Sequence, residues 1–260
     1  MNILCIGDIV GRAGRNAIIE LLPSLKQELS VDFTVVNAEN SAAGSGITLD
    51  IAEELFKRGC DVLTSGDHIW DKSDIKDYLN RNEKLLRPAN FPDGVPGKGS
   101  CVVTAPNGVR VGVINLLGRT FMRYNVTCPF KKLEDLSQEI RKETPVIVVD
   151  MHAEATSEKV ALGFFSDGKV SIVFGTHTHI PTADETVLSS GTAYITDLGM
   201  TGPFDSVIGQ VKEKIIERFL TSLPHKFEVA TGDIRLNGII VDVDEKTGKA
   251  RSIKRIQKKL

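Results

Sequence analysis

The 260-residue chain has little of what marks several protein classes. No apolar run approaches the roughly 18 residues that a membrane span needs, so no transmembrane segment is expected. The opening MNILCIGD reads as a strand entering a loop, too short and too soon charged to be an export signal. Of four cysteines, Cys5, Cys60, Cys101 and Cys128, no two stand at C-x-x-C spacing. That argues against a disulfide framework or a cysteine-built zinc site and for reduced thiols in a cytoplasmic protein. Charge of one sign is missing too, since 32 basic and 34 acidic residues leave −2. Such a balance provides no general attraction to nucleic acid or anionic membrane, so any phosphate must be recognised by a local site. Neither a P-loop nor a dinucleotide fingerprint occurs, and nothing repeats at a fixed period.

What is present suffices for a sizeable core, at 41% hydrophobic residues. The first half alternates strand patterns (2–7, 32–39, 61–66) with helical ones (15–29, 47–59, 72–80), a βαβαβα order that predicts parallel strands under helices. A Pro- and Gly-rich loop (90–100) precedes a hairpin over 100–118, turning at Pro106-Asn107-Gly108. Helix (132–143), strand (145–152), helix (156–166) and strand (169–175) follow. The end is mostly strand, at 192–199, 226–232, 236–248 and 250–256, with a helix over 211–220. The expectation is one α/β domain spanning 1–260 with two sheets, the late strands forming the second.

Polar residues collect where the apolar runs stop. The first strand ends at Asp8, the second runs into Glu39-Asn40, and the third into Asp67-His68. The strand at 145–150 ends in Asp150-Met151-His152, and the run VSIVF ends in GTHTHI, placing His177 and His179 two apart. Four of the five histidines fall in this set, and only His225 lies outside it. Singly, each has a plain structural reading: a cap, a turn, a hydrogen-bonded core histidine. Together, at the carboxyl ends of strands where α/β folds gather ligands, they predict a metal site. Carboxylate, amide and imidazole suit iron, manganese or zinc and fit calcium poorly.

The order GD…NAEN…SGDH…DMHAEATSEK…GTHTH…TDLGMTGP resembles the bacterial YmdB-like branch of the calcineurin-like metallophosphoesterases, from residue 1 to about 256. The resemblance implies a four-layer α/β/β/α sandwich with two mixed sheets, a dinuclear metal centre and hydrolysis of 2′,3′-cyclic nucleotides or related phosphodiesters. It implies Asp8, Glu39, Asn40 and His179 on one metal, and Glu39, Asp67, His152 and His177 on the other. The ions expected are iron, as Fe3+/Fe2+, or manganese, with zinc after them. Two metals about 3.5–4 Å apart polarise a phosphoryl oxygen and acidify a bridging water, whose hydroxide would attack phosphorus. His68 resembles the family's proton donor, the general acid for the leaving alkoxide, and Asp71 either orients it or caps the next helix. Relatives form oligomers, so a homo-oligomer is expected.

Two departures stand out. The wider superfamily opens with Asp-x-His, whereas Val10 occupies the third position here, as in the YmdB-like branch. Asp67 stands where the family usually has asparagine, so Asp8, Glu39 and Asp67 carry −3 against −2 for the usual set. That favours a more highly charged metal pair and makes hydroxide harder to form. It also keeps an alternative in view, a metal-binding regulatory or RNA-associated protein with little turnover; a third reading, phosphomonoesterase or nuclease, differs only in substrate. The balanced net charge argues against long RNA as a substrate.

Smaller features are open. GDIVGRAGR (7–15) is a tight turn before a helix, or a phosphate contact through Arg12 or Arg15. AAGSGIT (42–48) is expected to need glycine for close approach to the metals. GRTFMRYN (118–125) is a solvated loop or a base pocket, and DLGMTGP (197–203) has no assignable role.

Overall fold

A computed structural model describes all residues, 1–260. Three βα units open the chain: β1 (Asn2–Ile6), α1 (Gly11–Glu28), β2 (Phe33–Asn37), α2 (Leu49–Lys57), β3 (Val62–Thr64) and α3 (Ile75–Arg81). The middle holds β4 (Ser100–Thr104), β5 (Arg110–Leu117), α4 (Pro129–Ile140), β6 (Ile147–His152), α5 (Thr156–Ser166) and β7 (Ile172–Thr176). The remainder is β8 (Thr186–Val187), β9 (Ala193–Ile195), β10 (Gly202–Pro203), α6 (Lys212–Thr221), β11 (Ile234–Val243) and β12 (Ala250–Lys259).

Two six-stranded mixed sheets result. One runs β10-β11-β1-β2-β3 with β12 on the outer side of β11, and the other runs β4-β5-β6-β7-β9-β8. Strand alternation explains the layering. Ile3, Cys5, Phe33, Val35 and Val62 meet Val111, Val113, Val148, Ile172 and Phe174 between the sheets. The odd-even partners Leu4, Ile6, Val36 and Leu63 face Ile18, Leu22 and Leu25 of α1 and Leu55 of α2. On the far side Ile114, Leu116, Ile147 and Val149 face Leu133 and Ile140 of α4 and Leu162 of α5. Strands buried on both faces read as continuous apolar runs, which is why these were easy to see in the sequence. The four layers are those of the metallophosphoesterase sandwich.

Of the late strands, only that at 192–199 enters the second sheet, as β9 beside β7, while those at 236–248 and 250–256 belong to the first. β11 lies antiparallel on β1, from Asn2 opposite Asp242 to Ile6 opposite Gly238, and β12 lies on β11. The βαβ crossovers extend the first sheet to one side only, leaving β1 with an open edge that the chain's end covers. The second sheet is built from the middle strands β4 to β7, extended by β9 and β8. KFEVATG (226–232) forms no strand: it has the alternation but no neighbour beyond the single bridge of Val229 to Gln210. Helix α1 starts four residues earlier than the periodicity suggests, at Gly11, because Gly14 lets the helix approach the Thr201 carbonyl.

Candidate metal centre

β1, β2 and β3 run parallel in one sheet, and β5, β6 and β7 run parallel in the other. Their carboxyl ends share one rim. Asp8, Glu39, Asn40 and Asp67 arrive there from the first sheet, and His152, His177 and His179 from the second. The buried carboxylates and amide thus come from one layer and the three imidazoles from the other.

The seven gather into a compact cluster. His152 Nε2 stands 3.1 Å from His177 Nδ1, 3.4 Å from Asp67 Oδ1 and 3.8 Å from Glu39 Oε1. His179 Nε2 stands 3.0 Å from the Asn40 amide nitrogen and 4.0 Å from Asp8 Oδ1. The two ends of an asparagine amide are nearly interchangeable, so the Asn40 oxygen reaches the same place. Asp8 Oδ1 also lies 3.8 Å from His152 Nδ1. Both Glu39 oxygens accept backbone N–H bonds, from Gly66 and His68.

The far nitrogen of each imidazole settles which one faces inward. His179 Nδ1–H donates to the Ile208 carbonyl at 2.8 Å, leaving a lone pair on Nε2. His177 Nε2 faces Glu154 at 3.1 Å, which turns Nδ1 inward. The Thr176 hydroxyl donates to Asp150 Oδ1 at 2.7 Å and accepts from His152 Nδ1–H at 2.9 Å, leaving a lone pair on His152 Nε2. His152 Nε2 and His177 Nδ1 therefore stand 3.1 Å apart, both turned into the cluster. Asp8 Oδ1 and Asp67 Oδ1 are buried with no hydrogen-bond donor at all. Buried acceptors without donors are costly, and a cation is the partner that suits all of them. The residues fit a metal.

Electrostatics agree. Burial pushes the His152 imidazole down to about 3 and lowers His177 and His179 as well, so all three keep lone pairs at neutral pH. Burial, then the charge of Asp197, pushes the Asp8 carboxyl up to about 7. Burial, then the charge of Asp67, pushes Glu39 well above its usual range. Negative charge is concentrated in the cluster and waits for a counter-charge.

His68 stands at the rim, about a third exposed. Its Nδ1 lies 2.8 Å from Asp71 Oδ2 and 3.2 Å from Ser45 Oγ. Ser45 also bonds Asp71, and Arg123 reaches Asp71 Oδ1 at 3.5 Å. Asp71 thus orients His68, while Asp74 occupies the N-cap position of α3.

Several participants escaped sequence reasoning. Glu154 was visible only as part of HAEATSEK, and Thr176 only as the residue before His177. Asp150 points away from the cluster, to Asn37, Thr64 and Thr176. Gly66 is required by space, since a β-carbon there would overlap the His152 ring. Of the open features, in GDIVGRAGR Gly7 admits the Gly199 carbonyl and Arg15 bonds the Ser41 carbonyl at 2.6 Å, while Arg12 is exposed. In AAGSGIT, Gly46 (φ 71°) packs against the His68 carbonyl and Asp71 rather than beside the cluster. In GRTFMRYN, Tyr124 stacks edge-on against Phe91 while Phe121 is 87% exposed, free to meet a ligand.

A rim of carboxylate and imidazole on an α/β/β/α sandwich defines a metallophosphoesterase. Solved structures agree: a phosphatase from Mycoplasma pneumoniae superposes with TM-score 0.93 at 36% identity, covering 100% of this chain and 93% of that one. A hypothetical protein from Thermus thermophilus gives 0.92 at 36% identity, covering 100% and 99%. The model of the family described as "YmdB-like protein" matches residues 4–256, and the chain belongs to that family. A Bacillus subtilis relative named 2′,3′-cyclic-nucleotide 2′-phosphodiesterase is 50% identical over 98% of this chain and 96% of its own. A Mycoplasma pneumoniae putative phosphatase/phosphodiesterase is 39% identical over 94% and 88%.

Proposed function

We propose that the chain is a metal-dependent phosphodiesterase that hydrolyses 2′,3′-cyclic nucleotides or related small phosphodiesters, with residues 1–260 acting as one metallophosphoesterase domain. The observation that carries this is the set of inward imidazole nitrogens of His152 and His177 beside the donorless carboxylate oxygens of Asp8 and Asp67. The name of the half-identical relative supports the substrate class. Asp8, Asn40 and His179 would hold one ion, Asp67, His152 and His177 the other, and Glu39 both. A bound pair of iron or manganese ions, or zinc, would polarise the phosphoryl oxygen and supply a nucleophilic hydroxide at neutral pH. The protein's own part is to orient the ester and deliver a proton. His68, its Nδ1 held by Asp71 and Ser45 and a ring nitrogen within 4.8 Å of Glu39 and Asp67, would protonate the leaving sugar oxygen through Nε2.

Hydrolysis of 2′,3′-cyclic AMP is expected to vanish on chelation and return with manganese or iron. His68→Gln should lower kcat by roughly 10²–10³-fold with metal content unchanged, as for loss of a general acid. Metal-loaded protein inert toward every phosphodiester offered would instead favour a regulatory or RNA-associated role, the reading that the extra charge of Asp67 supports. Asp67→Asn is expected to shift metal content away from iron and to change turnover by about tenfold, or about 1.4 kcal/mol; identical values in both forms would remove Asp67 from the account.

The setting is proposed to be cytoplasmic, which the four free cysteines support. No helix is long and apolar enough to cross a membrane. Self-association is supported by an apolar strip on and after α6, where Phe219 and Leu220 are more than four-fifths exposed and Leu223 and Phe227 more than half.

A further inference from the structure

Two charged residues outside the ligand set are buried directly behind it. Lys159 of α5 and Asp197, just past β9, pair at 2.6 Å, with 1% of each side chain exposed. The other bonds accepted by the Asp197 carboxylate all come from main chain or from one hydroxyl. Its Oδ1 takes the Gly199 N–H at 2.7 Å, and its Oδ2 takes the Thr178 hydroxyl at 2.7 Å and the Thr178 N–H at 3.3 Å. The Lys159 stem runs beside Gly175, where a β-carbon would lie 2.9 Å from its Cδ.

Thr178 is the residue between His177 and His179. Both histidines sit in the left-handed region, at φ 98° and φ 65°, a conformation that L side chains other than glycine rarely adopt. Nothing local favours that turn, since neither position is glycine. It persists only if the surroundings impose it. The turn does necessary work: it sends His177 Nδ1 toward His152 and His179 Nε2 toward Asn40. The two bonds from Thr178 to Asp197 are the fixed point between them, and Lys159 is the counter-charge that keeps Asp197 an acceptor away from water.

We propose that Lys159 and Asp197 are positioning residues, a buried ion pair that grips Thr178 and thereby aims His177 and His179 at the two metal positions. This rests on the metal-centre reading above. Outer partners that orient ligating imidazoles typically contribute 10–100-fold in metal affinity.

The test uses the full chain, manganese affinity by competition against a metal buffer, and the visible absorption of the cobalt-substituted protein. Thr178→Val, which keeps the shape and deletes the hydroxyl, should weaken manganese binding roughly 10–100-fold and alter the cobalt spectrum. Thr178→Ser, which restores the hydroxyl, should bind as the parent does. Lys159→Met combined with Asp197→Asn, which removes both charges together, should show the Thr178→Val defect; the single Thr178 variants keep the test decisive should that pair not fold. Unchanged affinity and spectrum in Thr178→Val would overturn the inference while leaving the metal centre intact. A parent protein that takes up neither ion would overturn both.

Discussion

Asp8→Asn is expected to abolish hydrolysis, by roughly 10³-fold or more, because ligands of one centre act as a unit and losing one disables the rest. The same substitution should not harm the metal-free fold. Burial and the charge of Asp197 push the Asp8 carboxyl up to about 7, so in the folded chain it resists ionisation far above its ordinary range near 3.8. For an acid raised on folding, the favourable contribution is full below the unfolded value and is lost as pH climbs through the folded one. At pH 8, chelated parent protein therefore carries an ionised, donorless carboxylate oxygen that the amide lacks. Melting of the chelated forms should show Asp8→Asn above the parent at about pH 8, with the gap narrowing below about pH 7 and closing only near about pH 4. On adding manganese the order should reverse, since binding to the folded state raises only the parent's melting temperature. A metal-induced rise of equal size in both proteins would remove Asp8 from the ligand set.

Gly66→Ala should be nearly as damaging, through space alone. A β-carbon at Gly66 would overlap Cδ2 and Nε2 of His152, the ring whose Nε2 faces His177, Asp67 and Glu39. His152 cannot retreat easily, being wholly buried with Nδ1 tied to Thr176. The Gly66 N–H also feeds Glu39, so displacing this backbone disturbs two ligands at once. Turnover should fall by roughly 10²–10³-fold, in keeping with the sensitivity of catalysis to misplacements of about 1 Å. Metal stoichiometry should fall with it. Full metal content with normal turnover would show that the ring finds room elsewhere.

The site was more legible in the sequence than the sheets around it, and the difference has a physical origin. Candidate ligands announce themselves by chemistry and by position at the end of an apolar run, so Asp8, Asp67, His152 and His177 could be picked out one strand at a time. Sheet membership is a long-range pairing that no local pattern encodes. Residues 236–243 read as strand, yet their place beside β1 depends on an open edge more than 200 residues earlier. KFEVATG shows the converse, an alternating pattern with nothing to pair against. Glu154, Thr176 and Gly66 were invisible for a third reason. Their roles are defined by where a histidine ring stands in space, and only the folded chain specifies that.

The acids and amide of the centre ride on one sheet and its three imidazoles on the other, and Asp150 joins the two beneath them through Asn37 and Thr64 on one side and Thr176 on the other. The thickness of the hydrophobic filling between the sheets is therefore a ruler for the metal pocket. Bulk added at Cys5 or Ile172, within the filling between the sheets, would pry acids from imidazoles like a shim in a hinge. Drift in the core of this protein is constrained by its chemistry as much as by its stability.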